Sequence, residues 1–316
     1  MVRLNRRQAL VGAAALAGLS ACGRGRADGG TRITIWRHKA AASYFMEAAG
    51  QADFPYGVDY ADLPGGNAVL NAYAADAIDY AFMSQIPPVF ALQAGIPLAL
   101  IGSYQGDVNN SGLLVRPGSK VRTIDDLRGK SVTYVPTTND HYYLLKILDA
   151  HGMMMRDIVP VALPVTDANA AFTRGHVEAR CAGGITALLT ETQLGGRWIH
   201  RTMRGLYSGN FVISAHPRSL ADPDKRAAIL DYRRREQATW DWIADHVDQW
   251  AEISGKLSSL PASLYRRLAR EHSRPGKLVL PGEDVIADQQ DVADFMAEHG
   301  MVDRKLDIRP LWYRNG

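Results

Sequence analysis

Apolar and polar positions along the chain fall into short β-branched or aromatic runs separated by stretches of helical spacing. Arg32-Ile33-Thr34-Ile35-Trp36 alternates as a strand does, and the Ala-rich stretch after it, with Tyr44, Phe45 and Met46, predicts a helix. Residues 58–63 form a second predicted strand, leading through Pro64-Gly65-Gly66-Asn67 into a helix. Residues 78–83 form a third, leading through Ser84-Gln85-Ile86-Pro87-Pro88 into a helix that ends at Gly95, and residues 96–101 form a fourth. The clearest unit spans residues 132–152: an apolar strand, the polar loop Pro136-Thr137-Thr138-Asn139-Asp140, then a helix opened by His141, carrying Leu144, Leu145 and Leu148 and stopped by Gly152. Alternating strands and helices predict an α/β fold whose largely parallel sheet opens its strand-end loops on one edge, where ligands bind.

The pattern repeats. Leu63-Pro64 opens a loop, a helix ending Ala74-Ala75-Asp76 and a strand at residues 78–82; a hundred residues on, Leu163-Pro164 opens a loop, a helix ending Thr173-Arg174-Gly175 and a strand at residues 177–181. Two similar Rossmann-like lobes facing each other across a cleft are expected. Residues 103–114 and 205–214, rich in Gly, Asn and Ser with apolar ends, read as two crossing strands able to absorb a closing rotation. The lobes are then residues 31–110 plus 210–316, and residues 111–209. After Ala215 the pattern is helical: Asp222-Pro223-Asp224 opens a helix, Trp240, Ile243, Val247 and Trp250 share a face that reads as core, and this tail is expected to pack on the first lobe.

The first residues change the charge picture. Arg6 and Arg7 precede a short apolar run ending Leu19-Ser20-Ala21-Cys22, too short for a membrane span and shaped as an export signal over residues 1–21. The last four residues resemble a bacterial lipobox, which predicts lipidation of Cys22 and a tether over residues 22–30; the paired arginines suit either a twin-arginine signal or a plain Sec signal with two basic residues. Loss of residues 1–21 removes Arg3, Arg6 and Arg7 and no acid, so 36 basic against 33 acidic residues become 33 against 33. The remaining chain is formally neutral, and with no basic stripe a nucleic-acid partner is not expected. Arg233-Arg234-Arg235 reads as a solvated helix face. With Cys181 the only cysteine besides Cys22, neither a disulfide framework nor zinc spacing exists, and no cofactor or metal is expected.

Candidate chemistry therefore lies in the strand-end loops. A loop such as 137–141 offers unpaired N–H groups at the positive end of a helix, with hydroxyls and an imidazole alongside, which suits a small anion. The expected ligand contacts are His38, Gly66, Asn67, Ser84 and Gln85 from the first lobe and Thr137, Thr138, Asn139, His141, Gly184 and Thr186 from the second. With no net positive charge to attract it, the anion is expected to be held by aimed dipoles.

These segments carry a family likeness. Leu63-Pro64-Gly65-Gly66-Asn67, Ile78-Asp79-Tyr80-Ala81-Phe82-Met83, the stretch Ile86-Pro87-Pro88 to Gly95-Ile96-Pro97, Ile124-Asp125-Asp126-Leu127-Arg128-Gly129-Lys130 and Thr137-Thr138-Asn139-Asp140-His141-Tyr142 together resemble the substrate-binding proteins of sulfonate, taurine and nitrate ABC importers, over most of residues 31–300. The resemblance implies a type II periplasmic binding protein fold and a monomer held at the membrane by its lipid, in the periplasm or at the cell surface. It also implies a small organic anion, above all a sulfonate, as ligand, with an ABC permease and its ATPase as partners. Where many relatives carry an aromatic-acidic segment, this chain has Ala182-Gly183-Gly184-Ile185-Thr186, which implies either a bulkier, even aromatic, ligand or one that is not a simple sulfonate. Desulfinases and pyrimidine-synthesis proteins resemble the same binders, and an enzyme of that kind would use Cys181 as nucleophile with His38 or His141 as base. A ligand-sensing ectodomain shares every feature and differs in its partner.

Overall fold

The computed structural model describes residues 30–38, 40–63, 65, 67–274 and 276–314; the export signal, Cys22, the tether up to residue 29 and Gly66 lie outside the described residues. Strand β1 (Arg32–Arg37) buries Ile33 and Ile35 and pairs in parallel with β2 (Gly57–Asp62). Helix α1 (Asn67–Ala74) leads to β3 (Tyr80–Ser84), which joins β1 in parallel on its other side, and α2 (Ile86–Ala94) leads to β4 (Ala99–Gln105). The chain then builds a second sheet from β5 (Asn109–Val115), β6 (Ser131–Tyr134), α3 (Asn139–Ala150), β7 (Val159–Ala162), α4 (Val165–Thr173), β8 (Ala179–Gly183), α5 (Gly184–Thr192) and β9 (Arg197–Thr202). It re-enters the first sheet as β10 (Asn210–Ala215) and continues through α6 (Pro217–Ala221), α7 (Pro223–Asp245), α8 (Val247–Ser258), α9 (Ala262–Arg270), β11 (Lys277–Val279) and α10 (Glu283–Glu298).

The two sheets have one plan. Their orders are β2-β1-β3-β10-β4-β11 and β7-β6-β8-β5-β9, and in each the first three strands are parallel while the next, supplied by the chain that has crossed over, is antiparallel to its neighbours. One face of the first sheet packs α7 through Ala228, Ile229 and Tyr232; the other packs α1 through Val69, Leu70 and Tyr73. Both crossings are strapped by one side chain: Arg274 donates from Nε to the Gly106 carbonyl (2.9 Å) and from Nη2 to the Ser208 carbonyl (2.5 Å).

Four expectations need correction. The Ala-rich stretch after β1 makes only a 3-10 turn, Ala42–Tyr44, followed by turns to Gly50, because Phe45 and Met46 are drawn into the core and Gly50 takes a left-handed φ of 67°. The tryptophan-bearing helix breaks at His246 into α7 and α8, and Trp240 and Trp250 line a cavity of about 440 Å³ with Tyr104 instead of filling the core. The tail also reaches beyond the first sheet: on α10, Phe295 meets Tyr142 of α3 at 5.3 Å, and His299 Nε2 lies 3.1 Å from Asp149 Oδ1. Of the basic run, Arg234 alone is mostly exposed, since Arg233 donates to the Ile101 carbonyl and Arg235 to Asp231. Among the described residues no helix is long and apolar enough to cross a membrane.

Candidate functional site

The loops after β1, β3 and β6 meet around a chamber of about 310 Å³ between the sheets. His38, Ser84, Thr137 and Thr138 supply its polar lining, and Trp36, Val69, Phe82, Met83, Pro87 and Phe211 its apolar wall. Phe211 is there because β10 pairs antiparallel with β3, placing it opposite Ser84. A second space of about 270 Å³ shares Phe211 and is lined by Asn139, Asp140, Gly184, Ser111, Asp107 and Tyr143 among others. Gly183 allows a close approach here, since a Cβ would lie 3.1 Å from both Ser111 Oγ and Tyr143 Cε2, and Gly184 takes φ 56° to open α5.

The 137–141 loop has the expected form, with one revision. Thr138 caps α3, its Oγ1 accepting from the Asp140 N–H at 3.3 Å. Its own hydroxyl donates to the Val135 carbonyl at 2.8 Å, and that of Thr137 to the Pro136 carbonyl at 2.7 Å. Both hydroxyl protons are thus engaged, and the donors left for an anion are main-chain N–H groups of the first helical turn. Thr137 holds φ at 60°, an uncommon state for a β-branched residue.

Neither histidine brings charge. His38 packs at a tilt against Trp36 (centroids 4.9 Å apart) and His141 stacks on Tyr134 (4.6 Å), and burial lowers each imidazole to about 4, so both are neutral at pH 7. Four expected residues line neither space. Gln85 is 1% exposed and turned into the first lobe, where its Nε2 donates to Asp288 Oδ2 (2.8 Å) and its Oε1 accepts from Ser208 (3.0 Å). Asn67 is exposed at the start of α1, His141 lies behind Tyr134, and Thr186 gives its carbonyl to Thr190. Sequence reasoning passed over Trp36, Phe211, Asp140 and Arg180; an aromatic at the end of β1 and a charge inside the apolar strand β8 were the available signals. Among the described residues no group of three or more His, Cys, Asp or Glu is placed to hold a metal ion. Cys181 is 1% exposed, and burial raises its thiol well above the ordinary value, so a thiolate is not available there.

Residues 57–200 match the family described as NMT1/THI5 like. A protein of Escherichia coli (strain K12), named as binding aliphatic sulfonates, is 27% identical over 268 residues, 81% of this chain and 79% of that protein. The alkanesulfonate-binding protein SsuA from Xanthomonas axonopodis pv. citri, solved bound to MOPS, superposes with a TM-score of 0.80 at 22% identity, over 90% of this chain and 98% of that one. The fold is that of a periplasmic binding protein. The likeness to importer binding proteins read from the sequence is borne out by these matches. The same fold also serves chemistry: the desulfurization enzyme DSZB superposes with a TM-score of 0.65 at 14% identity, over 89% of this chain and 96% of that one.

Proposed function

We propose that this protein is an extracytoplasmic solute-binding lipoprotein that captures a small organic anion, an aliphatic or aromatic sulfonate, in the cleft between lobes 31–110 plus 210–316 and 111–209, and delivers it to an ABC permease and its ATPase. The observation that carries this reading is the pairing of two adjoining spaces that share Phe211: the chamber has an aromatic wall of Trp36, Phe82 and Phe211 with Thr137 and Thr138 opposite, and the first residues of α3, Asn139 and Asp140, line its neighbour. That division matches a charged head on an apolar tail. The similar proteins named for sulfonate binding support it. His38, Ser84, Thr137, Thr138 and Asn139 are the proposed contacts. The crossing segments 103–114 and 205–214, whose links between β4 and β5 and between β9 and β10 are residues 106–108 and 203–209, would take up a closing rotation, which scattering with and without ligand would register as compaction.

Calorimetry with alkanesulfonates of rising length, an arylsulfonate and an uncharged sulfonamide analogue tests the reading. Sulfonates should bind, the sulfonamide much more weakly; a preferred ligand without negative charge would overturn it. Binding rather than catalysis is favoured by the inaccessible Cys181, and Cys181→Ala should keep full affinity with no sulfinate or sulfonate consumed. The lipid on Cys22 and a monomeric state are read from the signal and the resemblance; intact mass and detergent partitioning of protein from its own host check the first.

A further inference from the structure

A positive charge is buried behind the proposed anion loop. Arg180 lies in the middle of β8, level with Thr133 of β6, the strand that runs into that loop. It is 1% exposed. One guanidinium nitrogen, Nη1, donates to Asn169 Oδ1 of α4, while Nε and Nη2 are buried with no partner among the described residues, as is the Thr133 hydroxyl beside them. A buried guanidinium without a counter-charge is expensive.

The carboxylate that feels Arg180 most is Asp140, the second residue of α3, half-buried on the wall of the adjoining space and receiving no hydrogen bond on its carboxylate among the described residues. Asp140 therefore occupies the very loop proposed to hold the ligand's negative head. Two like charges at one helix start oppose each other, and only one of them is fixed to the chain.

We infer that Arg180 is the buried positive charge that favours an anionic ligand, and that Asp140 answers it between ligands, giving up its own charge by taking a proton from solvent when the anion arrives. This rests on the sulfonate reading of the cleft. In the empty protein burial raises the Asp140 carboxyl to about 7, opposed by Arg180, so that it is near half-protonated at neutral pH. The groups facing it are Arg180 and Cys181 from β8, Tyr143 from its own helix, and Asp107 and His272 across the adjoining space. Burial raises the thiol and the phenol well above neutrality, so both stay uncharged.

Titration calorimetry of the full chain with 1-pentanesulfonate, in buffers of different ionisation enthalpy, reads the proton directly. The wild type should take up about half a proton per ligand at pH 7, and its affinity should fall by up to about tenfold per pH unit above that. Asp140→Asn should take up none and bind about tenfold more tightly at pH 8. His272→Gln, across the adjoining space from Asp140, is the control and should leave the uptake unchanged. Arg180→Gln should bind about tenfold or more weakly. Should Arg180→Gln fail to fold, the isosteric Asp140→Asn still decides. Sulfonate binding without proton uptake, together with an Asp140→Asn affinity equal to wild type, would overturn this inference and leave the sulfonate reading standing. No binding of any sulfonate would overturn both.

Discussion

The two sheets share a strand order yet bring different chemistry to the cleft between them. After β6 the second sheet runs into a capped helix of 12 residues, α3, whose first turn presents N–H groups. After β1, the equivalent place in the first sheet, the chain makes only the 3-10 turn Ala42–Tyr44, and what it offers the cleft is Trp36 with the His38 ring tilted against it. Topology brings corresponding loops face to face, and side chains then make one half dipolar and the other aromatic. On the proposed reading, the second lobe grips the head of the ligand and the first its tail.

The largest break in that division should come from the aromatic side. Trp36→Ala removes a wall of the chamber and the bond from Trp36 Nε1 to the Leu63 carbonyl (3.1 Å) that fixes the loop after β2. Affinity for a long-chain or aryl sulfonate should fall roughly tenfold to a hundredfold by lost apolar contact. For methanesulfonate the loss should be slight. Equal losses for short and long tails in calorimetry would dissolve the head-and-tail division.

Thr138→Ala acts on the other half. It removes the cap of α3 and the bond to Val135 that shapes the loop, at a cost of about 1 kcal/mol. The expected result is about a tenfold loss for every sulfonate, whatever its tail. A tail-dependent loss here would mean that the loop does not hold the head.

How much of this was legible in the sequence follows from which interactions are local. The strand, loop and helix of the 132–152 unit were legible because each signal lies within a few residues of what it specifies, although the cap falls on Thr138, between the Thr137 and Asn139 that the residue types offered, and the helix starts at Asn139, two residues before His141. The repeat was legible because it is a pattern of elements and not of contacts. Phe211 was not, because it meets Ser84 only through the antiparallel pairing of β10 with β3, 127 residues apart in the chain. Gln85 shows the same limit from the other side: its place beside Ser84 suggested the cleft, while Asp288 and Ser208, both distant in sequence, draw its amide inward. The helix expected at Tyr44-Phe45-Met46 was lost to burial of Phe45 and Met46, which outweighs the helical preference of the surrounding alanines.

Each half also carries one acid, buried in the first lobe and half-buried in the second, whose carboxyl is raised by burial to about 7. In the first lobe Glu236 is 5% exposed, accepts the Tyr80 hydroxyl at 2.5 Å and is raised by burial to about 7; Asp140 in the second is raised to a similar value. In the unfolded chain both have ordinary low values, so the folded state holds protons that the unfolded state has released. Each acid therefore lowers stability progressively as pH rises from about 4 to about 7, and no further above. His38 and His141 act in the opposite sense, losing stability as pH falls from 6.5 towards about 4, so the wild-type melting curve alone will not isolate the acids. The difference between variant and wild type does. Glu236→Gln should melt with the wild type at pH 4.5 and about 2–4 °C above it at pH 8, a gain of about 1 kcal/mol. A difference that does not change with pH would mean that Glu236 stays ionised beneath the first sheet.

The smallest expected effect probes the strain in the second lobe's loop. Thr137 holds a left-handed φ of 60° while its hydroxyl bonds the preceding carbonyl, and for a β-branched residue such a state costs on the order of 1 kcal/mol. Glycine adopts that φ without penalty but gives the unfolded chain more freedom, and the two terms partly cancel. Thr137→Gly should therefore raise the melting temperature by about 1–2 °C. If Thr137 also holds the loop in register for the anion, the same variant should bind every sulfonate a few-fold more weakly, with the loss concentrated in the dissociation rate. Stabilisation with unchanged binding would place the strain in the fold and leave the grip to residues 138–140, whereas destabilisation would show that the second lobe's loop depends on the Thr137 hydroxyl more than it suffers from its backbone.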